Sequence, residues 1–69
     1  MSDSVYKKIE IVGTSKTSIE EAIQGAVARA SKTLKNLRWF EVAETRGRVD
    51  DDGSLEYQVT LKVGFNLEG

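Results

Sequence analysis

Polar and apolar positions alternate most cleanly near the C-terminus. Leu55, Tyr57, Val59, Leu61, Val63, Phe65 and Leu67 interleave with Glu56, Gln58, Thr60, Lys62, Gly64 and Asn66. A two-residue period places every apolar side chain on one side of an extended chain, which predicts a strand. Just ahead, Asp50-Asp51-Asp52-Gly53-Ser54 predicts a tight turn, with aspartates bonding locally and Gly53 supplying a positive φ. Arg38 to Val49 predicts the strand that enters this turn, with Gly47 near its far end. Val5 to Gly13 mixes β-branched residues with Lys8 and Glu10 and predicts another strand. Thr14 to Thr17 is polar connection. Between the first two strands the period changes: Ile19, Ala22, Ile23, Ala26, Ala30, Leu34 and Leu37 recur at helical spacing. Ser18 and Glu21 have the spacing of a capping box, in which each side chain satisfies the other's free backbone N–H. Asn36 tolerates the left-handed conformation and marks a stop.

The order β-α-β-β predicts an α+β chain, one helix packed on a three-stranded antiparallel sheet, with residues 1–69 forming a single domain. Alanines in the helical stripe allow a close approach to the sheet. Parity then sorts side chains between the two sheet faces. The odd residues of the last strand belong under the helix, with Phe40 and Val42 as their core partners. Gln58, Thr60 and Lys62 fall on the bare face, joined by Trp39, Glu41, Ala43 and Thr45. The only tryptophan thus stands on a face the helix does not cover. A lone large aromatic there needs another chain, a flat ligand, or both.

Composition narrows the choice. A chain of 69 residues builds a small core, and small domains add disulfides, metals or partner subunits. Cysteine and histidine are absent, which leaves association between subunits. Ten basic and eleven acidic residues give a net charge of -1, unfavourable for nucleic acid. Met1-Ser2-Asp3-Ser4 begins no apolar run, so neither a leader nor a membrane span is expected, and the cytoplasm is the default location. The absence of an obvious nucleophile–base pair argues against an enzyme. The aspartate run lacks the spaced ligands of a calcium loop and reads as a solvated turn, with no metal site expected.

Several stretches together resemble the dodecin family: Gly13-Thr14-Ser15 before Ser18-Ile19-Glu20-Glu21-Ala22-Ile23, then Ala28-Arg29-Ala30-Ser31-Lys32-Thr33-Leu34, Trp39-Phe40-Glu41-Val42, Thr45-Arg46-Gly47, and Tyr57 to Phe65. The resemblance runs from Val5 to Glu68 without a gap. It implies a hollow homo-dodecamer with helices outside, and flavins bound in pairs at twofold axes between tryptophans of neighbouring subunits. The cofactor implied is FMN or riboflavin, held for storage and protection from photochemistry. Trp39 matches the stacking tryptophan and Gln58 the glutamine at the flavin's polar edge. Arg46 matches a basic residue near the ribityl phosphate, and Lys7 is a second candidate for that phosphate. Arg46 counts onto the Phe40 face, so this role requires a bulge or strong twist beside Gly47; without one, Arg46 is a structural ion-pair residue. Coenzyme A, bound by some relatives, would draw on Arg29 and Lys32. Two positions depart from the family pattern: Arg38 where an acidic or small residue is common, and Asn66 where arginine is common.

Without the resemblance, each residue has a plainer reading. Trp39 anchors a subunit interface, Gln58 is an ordinary polar strand residue, and the helix charges form a solvated surface. A structural cage cemented by Trp39 is therefore the alternative to a flavin store. An RNA-binding sheet fits poorly, because Tyr57 and Phe65 face the helix.

Overall fold

The central strand is the one whose alternation is cleanest. In the computed structural model, which describes residues 3–67, β1 (Val5–Ser15), α1 (Ile19–Ala30), β2 (Leu37–Val49) and β3 (Leu55–Leu67) occur in β-α-β-β order. Met1, Ser2, Glu68 and Gly69 lie outside the described residues, and with them half of the N-terminal stretch and the last position of the resemblance. The antiparallel sheet has the order β1-β3-β2. β3 is flanked on both sides, so its odd positions are the ones α1 can seal. Val59, Leu61 and Val63 are buried there; Ala22 of the helix joins them, with Ile11, Ile19, Ile23, Ala26 and Val27 packed around.

Small residues set the helix height, as the alanine stripe predicts. A Cβ built on Gly13 would strike the carbonyl oxygen of Ala22 and come within 2.8 Å of the Ala26 Cβ. Backbone against backbone at this point brings α1 down onto β1 and β3. At the N-cap, the Ser18 hydroxyl accepts from the Glu21 N–H at 3.0 Å. The expected reciprocal bond is replaced, because the Ser15 hydroxyl accepts from the Ser18 N–H at 3.3 Å. A residue at the end of β1 thus takes the role assigned to Glu21 and ties strand to helix.

The helix is shorter than its apolar stripe. It stops at Ala30 with Ser31 as cap, although Leu34 and Leu37 continue the spacing. The Ser31 hydroxyl donates to the Ala28 carbonyl at 2.8 Å and the Thr33 hydroxyl to the Ala30 carbonyl at 3.4 Å. Side chains that bond the last carbonyls compete with further helix. Leu37 becomes the first residue of β2, opposite Phe65. Asn36 does adopt a positive φ, 65°, but it turns the chain into β2 rather than ending α1. The β2–β3 turn is as expected: Gly53 has φ 87°, its N–H donates to the Asp50 carbonyl at 2.9 Å, and the Ser54 hydroxyl donates to Asp52 Oδ1 at 2.7 Å.

Phe40 and Val42 correct the expected core. They lie on the helix side, opposite Val63 and Leu61, yet they are 48% and 49% exposed. The helix packs on β1 and β3 and leaves β2 outboard. Beyond it, Val49 and Leu55 pair at the hairpin tip and are also exposed. The subunit measures 57 × 20 × 14 Å, with a radius of gyration of 14.5 Å against about 11 Å for a compact chain of this length.

Two glycines provide a paired test of this packing. Gly13→Ala forces the helix away from the sheet and should destabilise the protein by about 1–3 kcal/mol. Gly25, mid-helix with nothing within 4 Å of a built Cβ, should gain about 0.5–1 kcal/mol on replacement by alanine. Chemical denaturation of both variants measures the opposite signs.

Candidate functional site on the open sheet face

Two irregularities in β2 decide which side chains share the open face. The pairing slips by one residue between Leu37 and Trp39, and again between Val42 and Glu44. Each slip is a bulge, with Arg38 and Ala43 as the extra residues, and each resets the parity of the strand beyond it. After the first, Trp39 stands opposite Gly64 and Glu41 opposite Lys62; after the second, Glu44 faces Thr60 and Arg46 faces Gln58. Arg46 therefore shares the open face with Trp39 and Gln58. The bulge that brings it there is at Ala43, four residues before Gly47, rather than beside Gly47 as the sequence leads one to expect. By the same shift Thr45 pairs with Val59 on the helix side, contrary to the parity count, and Ala43 is the bulged residue itself.

Trp39 is 38% exposed and fixed on three sides. Below it is Gly64: a Cβ at that position would collide with Cζ2, Cε2 and Cη2 of the indole, so the ring lies across the glycine. At its edge is Tyr6 of β1, with ring centroids 5.1 Å apart and planes inclined at 70°, a favourable edge-to-face arrangement. Its N–H donates to Glu41 Oε2 at 3.0 Å, and the same oxygen accepts from Lys8 Nζ at 3.1 Å. The indole bond, then the lysine bond, lowers the Glu41 pKa below the ordinary carboxylate range, against a smaller opposing effect of desolvation; the Lys8 and Lys62 charges add to the lowering.

The polar end of the face is built around Gln58. Its carboxamide donates to Glu56 Oε1 at 3.1 Å, and Arg48 bridges Glu56 and Asp50 at 3.8 and 3.0 Å. Arg46 stands across from Gln58 on β2. Gln58 and Gly64 are six steps apart along β3, about 20 Å at 3.3 Å per residue, farther than a tricyclic ring is long. Trp39 and Gln58 thus occupy two ends of one face.

The other sequence candidates lie elsewhere. Lys7 pairs with Phe65, on the helix side and away from this set. Arg29 lines a groove of about 490 Å³ between α1 and β1, together with Ile11, Thr14, Gly25 and Thr33. Lys32 is in the exposed turn after the helix. Sequence reasoning missed Tyr6, which meets Trp39, and Lys8, which meets Glu41, both brought there by the β1–β3 register. Only that pairing, invisible in the alternation of β1 alone, shows that they are neighbours. Among the described residues no group of three or more acidic, histidine or cysteine side chains is placed to hold a metal ion. No helix among them is long and apolar enough to cross a membrane.

This arrangement has known counterparts. A family model described as Dodecin matches residues 5–68. The Dodecin of Thermus thermophilus is 61% identical over 64 residues, covering 93% of each chain. A crystal structure of a protein from the same species superposes with a TM-score of 0.89 at 58% identity, over 97% of this chain and 98% of that one. The Calcium dodecin of Mycobacterium tuberculosis is 42% identical over 64 residues, 93% of this chain and 90% of the relative. A crystal structure from that species, described as a calcium chelating antigen with a novel calcium-binding site, gives a TM-score of 0.86 over 94% and 93% of the two chains. The chain belongs to the dodecin family, and membership implies an oligomeric assembly. Neither relative's name carries an enzymatic activity.

The Trp39 geometry leads to two measurements, with a single tryptophan as the reporter. Gly64→Ala should displace the indole and change its emission and near-ultraviolet circular dichroism while the far-ultraviolet spectrum stays constant. Glu41 has a depressed pKa in the folded state. Its bonds should therefore persist through the ordinary carboxylate range and be lost only as the pH falls through the lower folded value. Tryptophan emission against pH should show that late change.

Proposed function

We propose that the protein is a flavin-binding storage protein, not an enzyme, in which residues 1–69 act as one domain and twelve copies form a hollow shell in the cytoplasm. The observation that carries this reading is the indole of Trp39, lying across Gly64 on the uncovered face. An exposed aromatic plate held in one orientation suits a planar ring, and a twofold axis turns one plate into two facing plates. Each flavin, FMN or riboflavin, stacks on Trp39 of one subunit while its polar edge meets Gln58 of the partner subunit. The roughly 20 Å between these residues within a chain favours a shared site. The Gln58 carboxamide offers both a donor and an acceptor to the ring, exchanging its bond to Glu56 for bonds to the ligand. Arg46, opposite Gln58, supplies the cation for the FMN phosphate.

Stacking removes the ring faces from water and places an electron-rich indole against them. Quenching of excited flavin, and hence protection from its photochemistry, is the consequence. A redox enzyme would need room for a hydride donor, which a ring stacked on both faces does not leave. Coenzyme A is a second candidate ligand, favoured by the Arg29-lined groove with Lys32 near its end. Calcium is named for the Mycobacterium tuberculosis relative; among the described residues of this chain no three acidic side chains are grouped to hold a metal ion.

Flavin titrated with protein should lose its emission, and Trp39→Ala should weaken that binding by about tenfold or more while the assembly stays intact. Arg46→Ala should weaken FMN and leave riboflavin unchanged. A Trp39→Ala protein that falls apart into subunits would instead support the cage reading, in which the indole only cements an interface.

A further inference from the structure

We propose that Glu41, backed by Lys8, is the positioning residue for Trp39: its carboxylate holds the indole across Gly64 and so sets how well a flavin ring stacks on it. This rests on the flavin reading for its ligand, and on the geometry of the open face for everything else. An indole on a half-exposed face has two rotatable bonds, and a stacking partner must otherwise order them at the moment of binding. Here the ordering is done in advance. One oxygen, Glu41 Oε2, accepts from Trp39 Nε1 at 3.0 Å and from Lys8 Nζ at 3.1 Å.

The clamp spans all three strands. Lys8 on β1 and Trp39 on β2 both pair with Gly64 of the central strand. Outer strands stand about 9.6 Å apart across a middle one, and the Lys8–Glu41 ion pair bridges that span at 3.1 Å. The missing side chain at Gly64 is the bed on which the ring lies. Charge keeps the carboxylate in place: Lys62 is its cross-strand partner and Lys8 its ion pair. Tyr6 limits the ring at its remaining edge.

The test compares Glu41→Ala and Glu41→Gln in the assembled protein, by two readouts. The first is solvent exchange of the indole N–H, followed by nuclear magnetic resonance without any ligand. The second is riboflavin affinity from quenching. Glu41→Ala should speed the exchange and weaken riboflavin, each by about fivefold. Glu41→Gln, which keeps an acceptor oxygen, should restore most of both. Lys8→Met should give a smaller loss in the same direction. Unchanged exchange in Glu41→Ala, or a glutamine variant that behaves like alanine, overturns the positioning role. A wild-type protein that leaves riboflavin emission unchanged overturns the flavin part, and the exchange rates then decide the hold on the indole by themselves.

Discussion

A twelve-residue helix is about 18 Å long, whereas the thirteen-residue strands it must cover run about 43 Å. That mismatch governs this protein. Wherever the helix is placed, most of the sheet lies beyond it, on one face entirely and on the other in part. The chain places the helix over β1 and β3, where Gly13 allows contact at backbone distance. β2 and the hairpin tip are left outboard, with Phe40, Val42, Val49 and Leu55 uncovered. Subunits that leave so much apolar surface beside so small a core are made to be covered by one another, as membership of an oligomeric family implies.

On the opposite face the same overhang becomes useful. Two bulges in β2 put Trp39, Glu41, Glu44 and Arg46 together on the side away from the helix. A regular strand from Leu37, which stands opposite Phe65 on the helix side, could not do this, because Trp39 and Glu41 would then fall on the helix side as well. The bulges also increase the local twist of β2. One end of the face presents an indole laid on a glycine, the other a carboxamide next to a guanidinium. Neither end is by itself an enclosed pocket.

Much of this was legible in the chain. The odd positions of β3 announced their burial, the aspartates and Gly53 announced the turn, and parity put Trp39 and Gln58 on the uncovered side. The features that stayed hidden did so for physical reasons. The apolar spacing through Leu34 and Leu37 looks helical, but the Ser31 hydroxyl takes the Ala28 carbonyl while the Lys32 N–H turns to the Arg29 carbonyl, and hydroxyl competition leaves no trace in a hydrophobic period. Parity assumes an unbroken ladder, so a count from Phe40 misplaced both Thr45 and Arg46 once Ala43 bulged. The clamp of Lys8 on Glu41 depends on a strand register across Gly64, and the pairing of strands distant in sequence is set by the whole sheet.

The central claim is that one flavin is shared, with Trp39 from one subunit and Gln58 from another. A crystal structure of the assembled protein grown with FMN tests it directly. Paired rings are predicted at a twofold axis, each stacked on Trp39 of one chain with its polar edge on Gln58 of the partner. A ring contacting both residues of a single chain, or flavin bound away from Trp39, would contradict the claim.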